Sequence, residues 1–245
     1  MRLVSWNIRA GGGKRIDAIS RALTRWAPDV VVLSEFRGTA PSCVLAERLC
    51  RLGLTHQRST ADAQRPVVNA LLVASRYPLR RLRTPPVEDR MRMLPVHIDA
   101  PHAPDLRLLA VHVPNRVTGR KYPFLDAVVQ WAARPQNRAA GIIVGDTNSG
   151  LRGIDEESPA FNVIEETWFT RLAEAHWHDL YRQQNGARRA YTWYSPNGDN
   201  GFRLDQLFAC ESLSSRFEAM RYRWAGGSRR SGVSDHAAII AELSP

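Results

Sequence analysis

Short apolar runs alternate with amphipathic stretches along this chain, and the alternation limits the folds open to it. Ile16, Ile19 and Leu23 recur at spacings of three and four, which predicts a helix over residues 15–26. Strands are predicted over residues 3–8, 30–34, 69–75, 93–98, 107–113, 141–144, 191–194, 204–210 and 237–243, and further helices over residues 43–52, 122–133 and 162–175. These strands are too numerous for one open sheet. We therefore predict an α/β fold in which two packed mixed β-sheets are flanked by helices, with residues 1–245 forming one domain.

The charge of the chain is strongly positive and comes almost entirely from arginine. Its 245 residues include 34 Lys+Arg and 24 Asp+Glu, a formal net charge of +10, and Lys14 and Lys121 are the only lysines. A genomic bias toward arginine explains this composition as readily as a function does. The planar fork of arginine nevertheless suits phosphate groups. The charge is therefore compatible with a polyanionic partner but does not identify one.

Three cysteines, Cys43, Cys50 and Cys210, are too few and too irregularly spaced for a disulfide framework or a zinc site. They favour a reducing cytoplasm. Cys43 and Cys50 fall with Ala46 on the stripe of a predicted helix and are expected to lie in the core. The longest apolar runs are far shorter than the ~20 residues of a transmembrane helix. We expect no membrane span and no signal peptide ahead of a mature chain that begins near Met1.

Polar side chains recur where the predicted strands end. They are Asn7, Glu35, His112, Asp146, Asn148, Asp205, Asp235 and His236. A single Asn or Asp in such a place is most often a turn residue, and a lone histidine is most often a hydrogen-bonded core residue. So many together are poorly explained by independent turns. Carboxylate and amide oxygens are hard ligands for a divalent cation, and histidines beside them add acid–base capacity. The set predicts metal-assisted hydrolysis of a phosphate ester.

The motifs around these residues, taken in order, resemble those of the endonuclease/exonuclease/phosphatase superfamily. They are Ser5-Trp6-Asn7-Ile8, residues 28–35, residues 69–79, Pro114-Asn115, Gly145-Asp146-Thr147-Asn148, Tyr191-Thr192-Trp193 with residues 201–205, and Ser234-Asp235-His236. The likeness is greatest to exonuclease III and the apurinic/apyrimidinic endonucleases, with pancreatic-type DNases close behind. The resemblance implies a four-layered α/β sandwich with the site at one rim of the paired sheets.

The resemblance also implies a metal ligand set and a water-activating group. Glu35 would be the main Mg²⁺ ligand, helped by Asn7 and Asp235, with Mn²⁺ as a substitute. Asp146 would activate or position the attacking water, and Asn148 would orient that water or bind the phosphate.

Two histidines complete the implied site. His236 would contact the scissile phosphate, and Asp205 would orient its imidazole and favour the charged form. His112 departs from the repair nucleases, which carry tyrosine there. Pancreatic-type DNases and several phosphodiesterases carry histidine at that place, as an acid or a phosphate ligand. The resemblance therefore implies the residues that perform hydrolysis, but it does not extend in the same way to specificity for abasic sites.

Two arginine-rich segments, residues 80–92 and 221–230, are predicted to be loops beside the site. Backbone phosphates would accept hydrogen bonds from their arginines, and their aromatic side chains would stack on or wedge beside bases. The alternative is that they are solvated loops without a partner. The residues expected to contact nucleic acid are Arg37, Asn115, Arg203, Arg223, Trp224 and Arg229.

The expected function is a Mg²⁺-dependent nuclease for double-stranded DNA, acting as a monomer in DNA repair. It would leave 3′-hydroxyl and 5′-phosphate ends, as an endonuclease, a 3′-exonuclease or both, with abasic sites among its candidate substrates. One alternative is hydrolysis of RNA or of a small-molecule or lipid phosphate ester. Another is a DNA-binding protein on an inactive scaffold.

Overall fold

The computed structural model describes residues 1–101 and 103–244, and two six-stranded sheets form its centre. The strands are β1 (Arg2–Asn7), β2 (Val30–Phe36), β3 (His56–Ser59), β4 (Ala70–Ser75), β5 (Leu79–Arg81), β6 (Met93–Ala100), β7 (Ala103–His112), β8 (Gly141–Asp146), β9 (Trp177–Asp179), β10 (Trp193–Tyr194), β11 (Gly201–Phe202), β12 (Asp205–Cys210), β13 (Phe217–Arg223) and β14 (Ala238–Leu243). The helices are α1 (Ile16–Trp26), α2 (Ala40–Arg51), α3 (Lys121–Ala132), α4 (Pro135–Ala139), α5 (Val163–Glu174), α6 (Leu180–Asn185) and α7 (Glu211–Ser214).

Each sheet contains one parallel pair of strands among antiparallel neighbours. The first sheet has the order β13-β14-β1-β2-β4-β3, and β1 runs parallel to β2. The second has the order β5-β6-β7-β8-β12-β9, and β7 runs parallel to β8. Strand β14 lies between β1 and β13, so distant parts of the sequence meet in the middle of the first sheet. Strands β10 and β11 form a separate hairpin.

Alternating side chains of the first sheet are buried on opposite faces. Leu3, Val30 and Val32 belong to the core shared with the second sheet, whereas Val31 and Leu33 pack with α1 and α2. Helices α3 and α5 contribute to the core of the second sheet. Because both faces of each sheet are covered, the strands read as continuous apolar runs. The predicted sandwich of two mixed sheets flanked by helices is confirmed.

Helix α2 buries a different face from the one predicted. Its buried positions are Ser42, Leu45 and Leu49, whereas Cys43 and Cys50 are exposed. The prediction that these cysteines lie in the core is therefore wrong. The polar Ser42 occupies the buried stripe because its hydroxyl donates a hydrogen bond to a backbone carbonyl at 2.9 Å.

Strand β13 occupies the first part of an arginine-rich segment that was predicted to be a loop. Residues 221–223 pair antiparallel with β14, so the loop prediction is wrong for them. It is also wrong for Arg80 and Arg81 of the other arginine-rich segment, which lie in β5 and pair antiparallel with β6. Strand β13 is at the edge of its sheet, where charged side chains can remain in solvent. Because most of its side chains are polar or charged, the hydrophobicity pattern of the sequence does not predict this strand. None of the described helices is long and apolar enough to cross a membrane.

Gly145 lets β8 approach β7 more closely than any side chain would permit. A Cβ atom built on Gly145 would lie 2.0 Å from the carbonyl oxygen of Val111, and the φ angle of Gly145 is +145°. The close approach sets the position of the next residue, Asp146. Glycine is therefore required here by space as well as by conformation.

We expect Gly145→Ala to lower the free energy of unfolding by at least about 2 kcal/mol, since the new methyl group must displace backbone. Urea denaturation followed by tryptophan fluorescence measures the change. Gly153→Ala is the matched control: its φ is +70° but its Cβ would meet nothing within 4 Å, so it should lose only about 1 kcal/mol. Equal losses in the two variants would contradict the steric argument.

Candidate active site

The parallel strand pairs end at the same rim, where the two sheets are joined by a polar contact. Asn7 at the end of β1 donates from Nδ2 to Oδ2 of Asp146 at the end of β8, at 3.0 Å. The same amide lies 3.4 Å from Oε1 of Glu35. Its own oxygen accepts a hydrogen bond from the backbone N–H of Arg9 at 3.0 Å. Asn7 thus bridges two carboxylates that belong to different sheets.

Glu35 reaches the rim through a β-bulge. The register of β2 against β4 shifts between Ser34 and Phe36, and Glu35, the extra residue, has a φ of +57°. Such left-handed backbone is strained for a residue other than glycine and is found mostly where a side chain must be redirected. Oε2 of Glu35 accepts the backbone N–H of Ala10 at 2.6 Å. The bulge and this contact fix a half-buried carboxylate at the rim.

Asp205 and His236 form a buried pair opposite Asp146. Nδ1 of His236 lies 2.9 Å from Oδ2 of Asp205, and Nε2 lies 3.9 Å from Oδ2 of Asp146. The hydroxyl of Thr192 accepts the N–H of Asp205 at 3.1 Å, and that of Ser234 accepts the N–H of His236 at 3.2 Å. These two hydroxyls were not among the predicted site residues, although both lie inside the motifs that carried the resemblance.

The two rim histidines have opposite charge preferences. Burial alone lowers the pKa of His236, but the carboxylates, Asp205 foremost, outweigh it and raise that pKa to about 10. His112 is also buried, and burial together with Arg92 and His236 holds its pKa well below the ordinary value. At neutral pH, His236 is therefore a cation and His112 is neutral.

Asp146 lies between these imidazoles. Nε2 of His112 lies 3.7 Å from its Oδ2. Burial foremost, together with the nearby Asp205, raises the pKa of Asp146 to about 7, against the lowering effect of the positively charged His236. A carboxyl group poised near neutral pH is suited to accept a proton. The geometry thus puts a candidate base beside a candidate proton donor.

Asn148 is held by its own loop. Its backbone N–H donates to Oδ1 of Asp146 at 3.0 Å, and its Nδ2 donates to the carbonyl of Val113 at 2.7 Å. Its φ of +47° places it in the left-handed region. The carboxamide is therefore fixed beside the candidate base.

The oxygen atoms at the rim fit a divalent metal ion. Oδ1 of Asp235 is buried and has no hydrogen-bond partner among the described residues, and Glu35 adds a second carboxylate. An unpaired buried carboxylate oxygen is costly unless a cation compensates it. Ligand atoms of Asp146, Asp205 and His236 also lie within 4.8 Å of one another. In this second group, however, Nδ1 of His236 is already paired with Asp205 at 2.9 Å, which leaves only Nε2 of the imidazole for another partner.

Most residues predicted to contact nucleic acid lie on the surface. Asn115 and Arg223 are exposed, and Trp224 is half-buried with its ring 6.2 Å from that of Tyr194. Nε of the half-buried Arg37 donates to the side chain of Asn69 at 2.7 Å. Contacts between these four side chains and nucleic acid therefore stay predictions.

Arg203 and Arg229 are engaged within the chain instead. Arg203 is fully buried and donates two hydrogen bonds to Asp155, at 2.6 and 2.8 Å, and others to Asp179. The prediction that Arg203 contacts nucleic acid is therefore wrong, because no phosphate can reach it. Arg229 pairs with Asp199 through both terminal nitrogens, so its guanidinium already has a partner.

This fold and this rim define the class of the protein. The chain belongs to the endonuclease/exonuclease/phosphatase family, whose model matches residues 4–236.

The chain is similar in structure to a 3′-5′ exonuclease (NExo) from Neisseria meningitidis, with a TM-score of 0.80 and 19% identity. It is also similar to the 3′ phosphatase NExo from Neisseria bound to a product DNA hairpin (0.80, 18%) and to an AP endonuclease from Archaeoglobus fulgidus (0.81, 18%). Each alignment covers 100% of both chains. No curated protein matches the chain in sequence. The predicted family is thus confirmed.

In metal-free protein, we expect His236 to titrate with a pKa of about 10 and Asp205→Asn to lower that pKa, because the carboxylate stabilises the imidazolium. Imidazole ¹⁵N chemical shifts measured against pH provide the test. Since this pKa lies above the ordinary 6.5, the pair stabilises the fold fully below about pH 6.5 and loses that effect as the pH rises through about 10. Asp199→Asn, on the surface, is the control and should leave His236 unchanged. Titration of wild-type His236 near 6.5 would contradict the charge assignment.

Proposed function

We propose that this chain is a Mg²⁺-dependent phosphodiesterase that hydrolyses DNA and leaves 3′-hydroxyl and 5′-phosphate ends. The observation that carries the proposal is the pairing, across the rim, of the His236 imidazolium with the buried Asp146 carboxyl group. A fixed cation suits the charge that develops on a phosphate, and a carboxylate with a pKa near neutrality suits activation of water. The three structural neighbours described above, a 3′-5′ exonuclease, a 3′ phosphatase and an AP endonuclease, support DNA as the substrate.

The residues of this chain suggest a division of labour for the hydrolysis. Asp146 accepts a proton from the attacking water as the oxygen bonds to phosphorus. His236 donates a hydrogen bond from Nε2 to a non-bridging phosphate oxygen, and Asp205 keeps that imidazole charged and oriented. Asn148, fixed beside Asp146, orients the water or the phosphate. The bond between phosphorus and O3′ then breaks.

A metal ion would be held by Glu35 and Asp235. Bound there, Mg²⁺ or Mn²⁺ would supply Lewis-acid neutralisation of the charge on the phosphate oxygens and the leaving group. Asn7 would steady Glu35 through its amide, whose oxygen is already used by a backbone N–H. Hard oxygen ligands without thiolates favour Mg²⁺ over zinc.

Unpaired arginines near the rim support a polyanionic substrate. The turn formed by Arg90–Arg92 leads directly into β6, which begins beside the rim end of β7. None of the described residues pairs with Arg83 or Arg90. The carboxylates of the same loop, Glu88 and Asp89, are both occupied by Arg120, at 2.9 and 3.0 Å. The loop therefore presents uncompensated positive charge to a nucleic-acid backbone.

An aromatic wall beside His236 favours a substrate with an exposed sugar. The ring of the half-buried Trp193 lies 6.4 Å from the imidazole of His236 and 6.0 Å from the ring of the buried Phe202. The exposed part of the Trp193 ring can receive a deoxyribose at a 3′ end or at an abasic site. We include both, and removal of a 3′ phosphate, among the proposed reactions. RNA and small or lipid phosphate esters are the competing substrates.

We further propose that the protein acts as a monomer in the cytoplasm, in DNA repair. Its three cysteines are free, which suits a reducing compartment.

We expect Mg²⁺-dependent cleavage of at least one DNA in a panel of plasmid, abasic duplex, recessed 3′-hydroxyl duplex and 3′-phosphate hairpin, and no cleavage in EDTA. Glu35→Gln and His236→Ala should each lower kcat at least about 100-fold, since each removes charge used at the phosphate. The surface variants Glu47→Gln and His56→Ala are matched controls and should remain active. Cleavage of RNA alone, or release of phosphate from small esters alone, would favour the competing substrates. Intact DNA under every condition would overturn the proposal.

Replacing Arg83 and Arg90 with glutamine should raise KM for duplex DNA without changing kcat. The slope of log affinity against log salt should become shallower by about 2, because two phosphate contacts are lost. Arg21→Gln with Arg25→Gln, on the exposed face of α1, removes the same charge elsewhere and should have a smaller effect. Identical slopes for the two double variants would show that the charge acts only in bulk.

A further inference from the structure

The ammonium group of Lys121 is buried beside the loop that follows β8 and carries Asn148, which we call the catalytic loop. The side chain of Lys121 is 3% exposed, and its Nζ donates hydrogen bonds to the carboxylate of Glu165 and to the backbone carbonyl of Asn148. Burying a charge is costly unless it is paired and hydrogen-bonded. The ammonium therefore ties the loop of Asn148 to a second, distant segment of the chain.

Glu165 is itself rigidly held at the start of α5. It is 1% exposed, and its Oε2 accepts the N–H of Asn162 at 2.8 Å. The side chain of Asn162 in turn accepts the N–H of Glu165 at 3.1 Å, which completes a capping box. A carboxylate in the first turn also interacts favourably with the helix dipole. Lys121 is thus anchored to a fixed point and not to a mobile side chain.

The backbone that Lys121 holds is the strained part of the catalytic loop. Asn148 has a φ of +47°, a conformation that costs free energy for any residue with a side chain. Its N–H and its Nδ2 are both used, by Asp146 and by Val113. No described residue bonds to its carboxamide oxygen, which is therefore left to accept a hydrogen bond from the attacking water. Relaxation of this backbone would turn the carboxamide away and would strip the ammonium of an acceptor.

We infer that Lys121 is a positioning residue for the hydrolysis proposed above: with Glu165 it holds the carbonyl of Asn148 and so keeps that residue's carboxamide oxygen aimed at the attacking water. The inference rests on the proposed function. Lys121 touches neither water nor phosphate in this role and acts only through Asn148.

The informative variant removes both charges together. Lys121→Met alone leaves the buried Glu165 unpaired and can prevent folding. Lys121→Met with Glu165→Leu leaves no buried charge unpaired, although the N–H of Asn162 loses its acceptor and the first turn of α5 is weakened by about 1 kcal/mol. We expect this double variant to lose at least tenfold in kcat with KM changed less than twofold. Asp126→Asn with Arg171→Gln, an exposed ion pair between the same two helices, is the control and should keep wild-type kcat.

A double-mutant cycle separates positioning from a general structural effect. Asn148→Ala should lower kcat strongly in the wild-type background but less than threefold in the Lys121→Met/Glu165→Leu background. Independent, multiplicative losses in kcat would overturn the inference, as would wild-type kcat in the double variant.

The side-chain amide signals of Asn148 provide a test that needs no substrate. In metal-free, DNA-free protein, its ¹⁵Nδ2–¹H₂ resonances should shift or broaden in the double variant and stay fixed in the control. If no DNA is cleaved by the wild type, the proposed function fails while this measurement still decides the contact. Unchanged Asn148 resonances in the double variant would refute the positioning role.

Discussion

Two sheets packed face to face bring every proposed reactive group to one rim. One direct polar link between them there is the hydrogen bond from Asn7 to Asp146, and the His236–Asp205 pair is another. Each sheet supplies a parallel pair of strands whose carboxyl ends meet at that rim, so groups from four strands converge without long loops. Sliding one sheet over the other would break these contacts and unpack the shared apolar core. The precision of the site is therefore a property of the core as much as of the site residues.

The surroundings of each side chain, and not its residue type, determine which groups at the rim are charged. Two histidines lie within 4 Å of the same Asp146 oxygen, yet one is paired with a carboxylate and the other is near Arg92. At neutral pH the positively charged His236 therefore lies beside the candidate base Asp146, whereas His112 is uncharged. A neutral His112 can offer a hydrogen bond without adding a second positive charge beside Asp146.

The reactive residues could be predicted from the sequence, whereas the backbone features and buried ion pairs that position them could not. Strand-end residues could be predicted because polar side chains interrupt apolar runs at a regular place. The position of Glu35 on a bulge could not, since a shift in register leaves no trace in hydrophobicity. Arg203 was misassigned because the carboxylates that bury it, Asp155 and Asp179, are 48 and 24 residues away in sequence. The buried Lys121–Glu165 pair spans 44 residues and escaped prediction for the same reason.

The α2 and β13 errors have local causes. One polar residue, Ser42, takes a buried position by bonding a carbonyl, which moves the apolar stripe of α2 by one residue. The edge strand β13 keeps its arginines in solvent, so neither its composition nor its alternation distinguishes it from a charged loop.

The position of β14 has a consequence for how the active protein arises. This strand follows His236 and is inserted between β1 and β13, so Asn7 and His236 become neighbours only when segments more than two hundred residues apart have paired. Contacts of such long sequence separation form late, because the entropy of closing the intervening chain must first be overcome. A ribosome-bound chain still lacking β14 can assemble most of the second sheet but cannot place its imidazolium. The placement of His236 beside Asp146 therefore requires that β14 has docked between β1 and β13.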